Sequence, residues 1–391
     1  MKRILVISHS PFNHPYGAST SIREHYTAVG MEEIEFIHIS RTKIYGKFSK
    51  DICNNNSLPK NTTLKCCYKS PLPDSANTIF YEKSKYLADK NKIIRDFLWT
   101  FKAKEIISQI VRFKPDLIHF NSLVLSKLFL PIKNLLPDTV LISHARELLL
   151  SNISKREKLR IQVLDRIVAI DNSVKKRLNA AIPEFPDKNI QIIQNPFKSS
   201  SKKMDTELSK FFLTDEETVT FSIMGSISHT KGVELVCEAF EKANLPKTEL
   251  IIFGAVTNSY GEKLKKRWSG NSNIMWAGHH EYLLARGVFN KVDCVIRGES
   301  TFCTGRTVYE ILFSGGEVIL PGGEKDMESD LNLIKFKSKV QLYKPRDITS
   351  LIESLNIVNC KLQKNKERPY KEISNYENYK KCILNIYNIH Q

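Results

Sequence analysis

The stretch Val219-Thr220-Phe221-Ser222-Ile223-Met224-Gly225-Ser226-Ile227-Ser228-His229-Thr230-Lys231-Gly232 opens the second half of the chain and is followed by the apolar spacing Val233, Val236, Phe240. Its first six residues, rich in β-branched and large apolar side chains, read as a strand covered on both faces. Gly225 stops the strand, and Lys231-Gly232 leads into a helix whose apolar positions recur three and four residues apart. A strand, a glycine and a lysine at the start of a helix place one ammonium and several backbone N–H groups beside an anion site. The spacing is not that of a Walker A loop, which needs Gly-Lys followed by Ser or Thr.

Similar apolar runs lie at residues 4–8, 34–39, 117–120, 140–143, 167–170 and 191–193 before this stretch, and at 250–253, 274–276, 294–296, 318–320 and 340–343 after it. Helical spacing separates them, as in Ile94, Phe97, Phe101, Ile107 and Ile110. Such alternation predicts an α/β chain of two doubly wound parallel sheets, with a polar joint near 199–215. Ligands bind beyond the carboxyl ends of such strands, so two Rossmann-like domains are expected to face an interdomain cleft.

Composition agrees with that organisation. The 391 residues are 41% hydrophobic and 26% charged, enough for two domains with their own cores, and neither disordered nor fibrous. No run approaches the roughly 18 apolar residues of a membrane span, and the opening MKRILVISHS reads as a strand, not a signal peptide. The eight cysteines show no C-x-x-C spacing, which speaks against a zinc site or a disulfide framework and for a reduced, cytosolic protein. The net charge of +17 is uneven: residues 1–200 carry 32 Lys and Arg against 18 Asp and Glu, whereas residues 201–391 carry 27 against 24. Either a lysine-rich compositional bias or an anionic partner of the first half accounts for it.

Two further loops sit where a doubly wound sheet puts its chemistry. After the first strand come His9-Ser10-Pro11 and then His14-Pro15-Tyr16-Gly17-Ala18-Ser19-Thr20, where Gly17 permits close backbone approach and Ser19 or Thr20 is placed to cap a helix. The dinucleotide fingerprint G-x-G-x-x-G is absent there. After the run 294–296 comes Arg297-Gly298-Glu299-Ser300-Thr301-Phe302-Cys303-Thr304-Gly305-Arg306-Thr307-Val308-Tyr309-Glu310. A glycine turn feeding a helix again offers N–H groups to phosphate, and Glu310, one turn in, suits a pair of ribose hydroxyls.

The ordered set Gly225, Lys231-Gly232, Gly278, Gly305, Glu310 and Gly315-Gly316 resembles the carboxyl half of the group 1 retaining glycosyltransferases of the GT-B fold. The amino half is similar through Gly17-Ala18-Ser19, Asp116-Leu117-Ile118-His119, Ser143-His144, Ala169 to Ser173 and Asn195-Pro196. The resemblance implies an acceptor-binding domain at 1–200, a nucleotide-sugar domain at 201–373, and a last helix over 374–391 that rejoins the first domain. It implies a nucleoside-diphosphate sugar as co-substrate and no metal or other cofactor, in keeping with the absence of any Asp-x-Asp. Lys231 would neutralise the departing diphosphate, helped by N–H groups around Thr304, Gly305, Arg306 and Thr307; Glu310 would hold the ribose, and His144 would contact the sugar or an acceptor hydroxyl.

Two positions depart from the family pattern. Its first Glu falls at Phe302, for which Glu299 substitutes only in a remodelled loop, and its strand-end arginine falls at Ser226. Arg297 or Arg306 would supply the missing charge. His119, Cys303 and the Phe97, Trp99, Phe101 group read as packing residues rather than chemistry. Basic clusters over Lys83–Lys104, beside Tyr86 and Trp99, and over Lys155–Arg166 suit a phospholipid surface, or else a solvated helix face; no nucleic-acid module is present. The expectation is a cytoplasmic enzyme, peripheral at the inner membrane face, in polysaccharide or lipopolysaccharide biosynthesis. The alternative is an inactive GT-B protein that binds nucleotide sugar or acts as a scaffold.

Overall fold

In a computed structural model of the chain the apolar runs pair into two wholly parallel sheets. The structure describes residues 3–8, helical positions between 21 and 29, strands at 34–38 and 64–66, helical positions between 104 and 110, then 111–146, 153–196, most of 204–364, and 375–387. The chain divides into two compact units, Met1–Pro196 with Tyr376–Gln391, and Phe197–Asn375. No helix among the described residues is long and apolar enough to cross a membrane.

The first unit holds strands β1 (Ile4–Ser8), β2 (Ile34–His38), β3 (Leu64–Cys66), β4 (Leu117–Phe120), β5 (Val140–Ala145), β6 (Arg166–Ala169) and β7 (Ile190–Ile192), in the order β3-β2-β1-β4-β5-β6-β7. Side chains alternate across β1. Leu5 and Ile7 enter the core on one face of the sheet, Ile4 and Val6 the core on the other, which is why the run is apolar at every position. The second face is covered in part by the helix Tyr376–Ile386, which lays Tyr379, Ile383, Leu384 and Ile386 against Val6, Leu117 and Val168.

The second unit holds β8 (Val219–Met224), β9 (Thr248–Phe253), β10 (Ile274–Gly278), β11 (Cys294–Ile296), β12 (Glu317–Pro321) and β13 (Val340–Tyr343), in the order β10-β9-β8-β11-β12-β13. The same alternation serves it: Leu250 and Ile252 pack on one face, Ile251 and Phe253 on the other. In each sheet the winding reverses beside the first strand, between β1 and β4 in one unit and between β8 and β11 in the other. The loops on either side of such a switch diverge to opposite faces and leave a crevice at the carboxyl ends.

The helix Tyr376–Ile386 shields core residues that would otherwise meet water, so truncating Ile383, which is fully buried, should be costly. Urea unfolding of Ile383→Ala should show a loss of about 2–5 kcal/mol. A loss below about 1 kcal/mol would mean that this helix does not seal the sheet.

Candidate active site

The loops that follow β8 and β11 touch through bare backbone. Gly232 sits at φ +60, and a Cβ added there would lie 1.7 Å from the Gly298 carbonyl oxygen; one added at Gly298 would lie 2.4 Å from the Gly232 oxygen. No side chain fits at either position, and none but glycine adopts that φ readily. This contact brings the lysine before Gly232 to the acidic residue after Gly298. Lys231 Nζ donates to Glu299 Oε1 at 3.0 Å. Arg297 Nε donates to Glu299 Oε2 at 3.1 Å, and its Nη2 donates to Oε1 of the same carboxylate. Arg297 Nη1 also reaches Thr307 Oγ1 at 3.3 Å, and Tyr343 at the end of β13 donates to the Arg297 carbonyl at 2.9 Å.

Two cations share one carboxylate, leaving one excess positive charge. Arg297 and Glu299 are buried, while the Lys231 side chain remains about one third exposed at 34%. An imperfectly compensated cation pair with one buried and one half-buried member attracts an anion more than exposed charges do, because less water screens it. Gly305 caps the helix Arg306–Phe313 without a side chain, and a Cβ there would lie 2.9 Å from both Nη atoms of Arg297. The guanidinium thus rests against the amino end of that helix, whose dipole adds positive potential.

Of the two arginines weighed as replacements for the family's strand-end arginine, Arg297 joins the lysine. Arg306 instead donates from Nε to Glu310 Oε1 at 2.6 Å, one helical turn on. Thr304 donates to Asp330 Oδ2 at 3.2 Å, and Tyr309 donates to the same oxygen. Gly225 ends β8 at φ +132. Phe302 packs into the apolar core and lies over Gly322, where a Cβ would come within 2.8 Å of its ring. Cys303 Sγ is 3.9 Å from Arg297 Nη2. Among the described residues no three His, Cys, Asp or Glu side chains gather as metal ligands.

The first unit carries a different kind of cluster, at the ends of β4 and β5. His119 Nε2 and His144 Nδ1 are 2.6 Å apart, and His119 Nδ1 meets the Tyr387 hydroxyl. That hydroxyl lies 3.4 Å from His25 Nε2, and His25 Nδ1 is 2.8 Å from the Tyr379 hydroxyl. Arg146, just past β5, donates to Asn121 Oδ1 at 2.8 Å and to Asn195 Oδ1. All three rings are buried, and burial first, the Arg146 charge second, lowers His25 to about 3. Burial likewise holds His119 and His144 well below the ordinary histidine value, assisted by the Arg146 charge and by the neighbouring imidazoles. Every ring is neutral near pH 7.

His9, His14 and Gly17 lie outside the described residues, as do the aromatic group at 97–101 and most of the basic cluster at 83–104. His119, read from the sequence as a packing residue, is partnered at both ring nitrogens. Sequence reasoning did not find Arg146, Asp330, Tyr343 or the tyrosines Tyr379 and Tyr387. Arg146 carried a usable signal, since it stands two residues beyond His144 at a strand end. Asp330 carried none.

No protein-family model matches the chain, and no curated protein matches it. Solved structures resemble it along almost its whole length. HepE of Anabaena, in complex with UDP-glucose, shares 13% identity over 98% of this chain and 95% of its own, with a TM-score of 0.66. The sucrose-phosphate synthase of Thermosynechococcus elongatus shares 11% over 99% and 98%, with a TM-score of 0.67. The apo form of the lipopolysaccharide outer core galactosyltransferase WaaB shares 14% over 99% of each chain, with a TM-score of 0.59. The fold is therefore GT-B, as the ordered motifs implied.

The neutral histidines tie stability to pH. An unfolded histidine takes a proton near 6.5, whereas these rings stay neutral well below it when folded. Below 6.5 the unfolded chain holds more protons, so stability falls as pH falls, by up to about 1.4 kcal/mol per pH unit for each ring, and is fully present above 6.5. Urea unfolding between about pH 7.5 and 5, above the ordinary carboxylate range, should show that decline. A flat profile would contradict three buried neutral rings.

Proposed function

We propose that the chain is a retaining glycosyltransferase that moves a sugar from a nucleoside-diphosphate sugar to a glycan or lipid-linked acceptor. The observation that carries the reading is the meeting of Lys231 and Arg297 at the switch point of the second sheet, with one excess positive charge beside the start of a helix. A diphosphate leaving group gains one negative charge as the glycosidic bond breaks, and preorganised cations stabilise it without reorganising solvent. Lys231 and Arg297 neutralise that charge, Thr307 and the first amides of the helix Arg306–Phe313 share it, and Glu310 holds the ribose. On this reading the diphosphate takes over the ammonium of Lys231 from Glu299. No metal is required, so chelators should leave activity intact. The likeness to HepE, which holds UDP-glucose, supports a nucleotide-sugar donor. The likeness to WaaB supports an acceptor in surface polysaccharide or lipopolysaccharide synthesis.

A second reading, nucleotide-sugar binding without turnover, is favoured by Phe302, whose ring is committed to the apolar core at the position of the family's first Glu. Incubation with a panel of UDP-, GDP- and ADP-sugars separates the two. Slow donor hydrolysis or transfer supports the enzyme, and saturable binding with the donor intact supports the binder. Lys231→Ala should lower turnover about 10²–10³-fold with the melting temperature little changed. Transfer by Lys231→Ala at the unaltered rate would remove the assignment.

The reading includes a peripheral site at the inner face of the membrane. It is supported by the helix Lys155–Gln162, which exposes Lys155 and Arg156 together with Leu159 at 52%. Each cation near an anionic surface contributes about 1 kcal/mol, screened by salt. Co-sedimentation with phosphatidylserine-containing vesicles should fall steeply from low to high salt. Equal binding to neutral and anionic vesicles would refute the electrostatic contribution.

A further inference from the structure

Arg297, Glu299 and Lys231 are not held alike. The Arg297 guanidinium grips Glu299 as a fork, Nε on Oε2 at 3.1 Å and Nη2 on Oε1, with the two side chains only 7% and 10% exposed. Three further contacts fix that fork. Thr307 Oγ1 accepts from Arg297 Nη1 at 3.3 Å, the guanidinium rests against the helix start at Gly305, and Tyr343 donates to the Arg297 carbonyl at 2.9 Å. Lys231 joins through a single hydrogen bond among the described residues, to Glu299 Oε1 at 3.0 Å, from a side chain about one third exposed. An arriving anion therefore moves the lysine. A half-exposed ammonium on a flexible stem re-aims at little cost, whereas parting the fork would strand a buried charge on each side.

We infer that Glu299 is a specificity-determining residue of this site, a carboxylate locked beside the bound diphosphate that disfavours a nucleoside diphosphate more than a nucleoside-diphosphate sugar. The identity of those ligands rests on the glycosyl-transfer reading. A diphosphate esterified at both ends carries two negative charges, one on each phosphate. A nucleoside diphosphate ends in a terminal phosphate whose second proton leaves near about pH 6, so above that pH it carries a third charge. Lys231 and Arg297 attract that third charge and Glu299 repels it, so the carboxylate cancels part of the preference that two bare cations would show for the spent product. Product release sets the turnover of many enzymes, and a site of uncancelled cations would release slowly.

Glu299 acts a second time through Lys231. The ammonium has an ion-pair partner before a ligand arrives and after it leaves, so drawing it onto a phosphate forfeits that pair and weakens the hold on any anion. A carboxylate that merely supported Arg297 and Lys231 has the opposite signature. Removing a support weakens anion binding, and removing a resident competitor tightens it.

The test is calorimetric titration of the full chain with inorganic pyrophosphate, UDP and UDP-glucose at low salt and about pH 7.5, above the second phosphate ionisation. Glu299→Gln keeps the side-chain shape and an oxygen for Arg297 but removes the charge. The variant should bind pyrophosphate and UDP about tenfold more tightly and UDP-glucose about threefold. Pyrophosphate and UDP bound no more tightly by the variant, an equal gain for UDP and UDP-glucose, or no pyrophosphate binding by either protein would overturn the inference. Should glutamine prevent folding, the wild type carries the test. On titration with pyrophosphate, the NMR signal of the Lys231 ε-methylene should move and that of Arg297 Nε–H should stay, the two assigned by their loss in Lys231→Ala and Arg297→Lys. An unmoved Lys231, or an Arg297 shift as large, would refute a fixed carboxylate. Tightening in a chain that transfers no sugar would support the part given to Glu299 and defeat the glycosyl-transfer reading alone. Transfer without tightening would defeat the inference alone.

Discussion

Two glycines that pass with no side chain between them organise the second unit. Gly232 and Gly298 bring the loops after β8 and β11 into backbone contact, and Lys231, Arg297 and Glu299 are placed by that crossing. Lys231 precedes one glycine; Arg297 and Glu299 flank the other. A doubly wound sheet supplies the neighbouring strand ends, but the ion cluster needs an approach that only two absent side chains permit. Arg297 uses the same device again at Gly305, where its guanidinium lies flat against the start of a helix.

The two units answer the problem of polar groups at strand ends in opposite ways. The second concentrates charge and leaves Lys231 partly in water, within reach of an anion. The first encloses three histidines beside an arginine, and the cost of a second positive charge in that enclosure keeps the rings neutral. Full burial thus makes the imidazoles neutral hydrogen-bonding groups, linked to one another and to Tyr379 and Tyr387.

Much of this was legible in the order of residues. Strands buried on both faces announce themselves by unbroken apolar runs, and β1, β4, β8, β11 and β13 lie where those runs lie. Leu64-Lys65-Cys66 gave no such run, and β3 was not anticipated because a three-residue edge strand with a central lysine has too little apolar content to stand out. Lys231, Arg297, Glu299 and Glu310 were marked by their places just after strands. Their pairing was not: whether Arg297 or Arg306 would join the lysine depended on which guanidinium could lie across Gly305, a through-space matter. Asp330, Tyr343, Tyr379 and Tyr387 reach their partners from distant parts of the chain, and no local pattern distinguishes such residues from packing ones.

The return of the segment 376–387 to the first sheet has a consequence for how the chain is made. The first unit draws its covering from both ends of its polypeptide, whereas the second lies wholly between them in sequence. During synthesis the second unit emerges entire and is free to fold while the first still lacks the part of its cover that Tyr379, Ile383, Leu384 and Ile386 give to Val6, Leu117 and Val168. Completion of the earlier-translated unit therefore waits for the later one, and a ribosome that stalls late in the message leaves behind a nascent protein with one finished half and one sticky one.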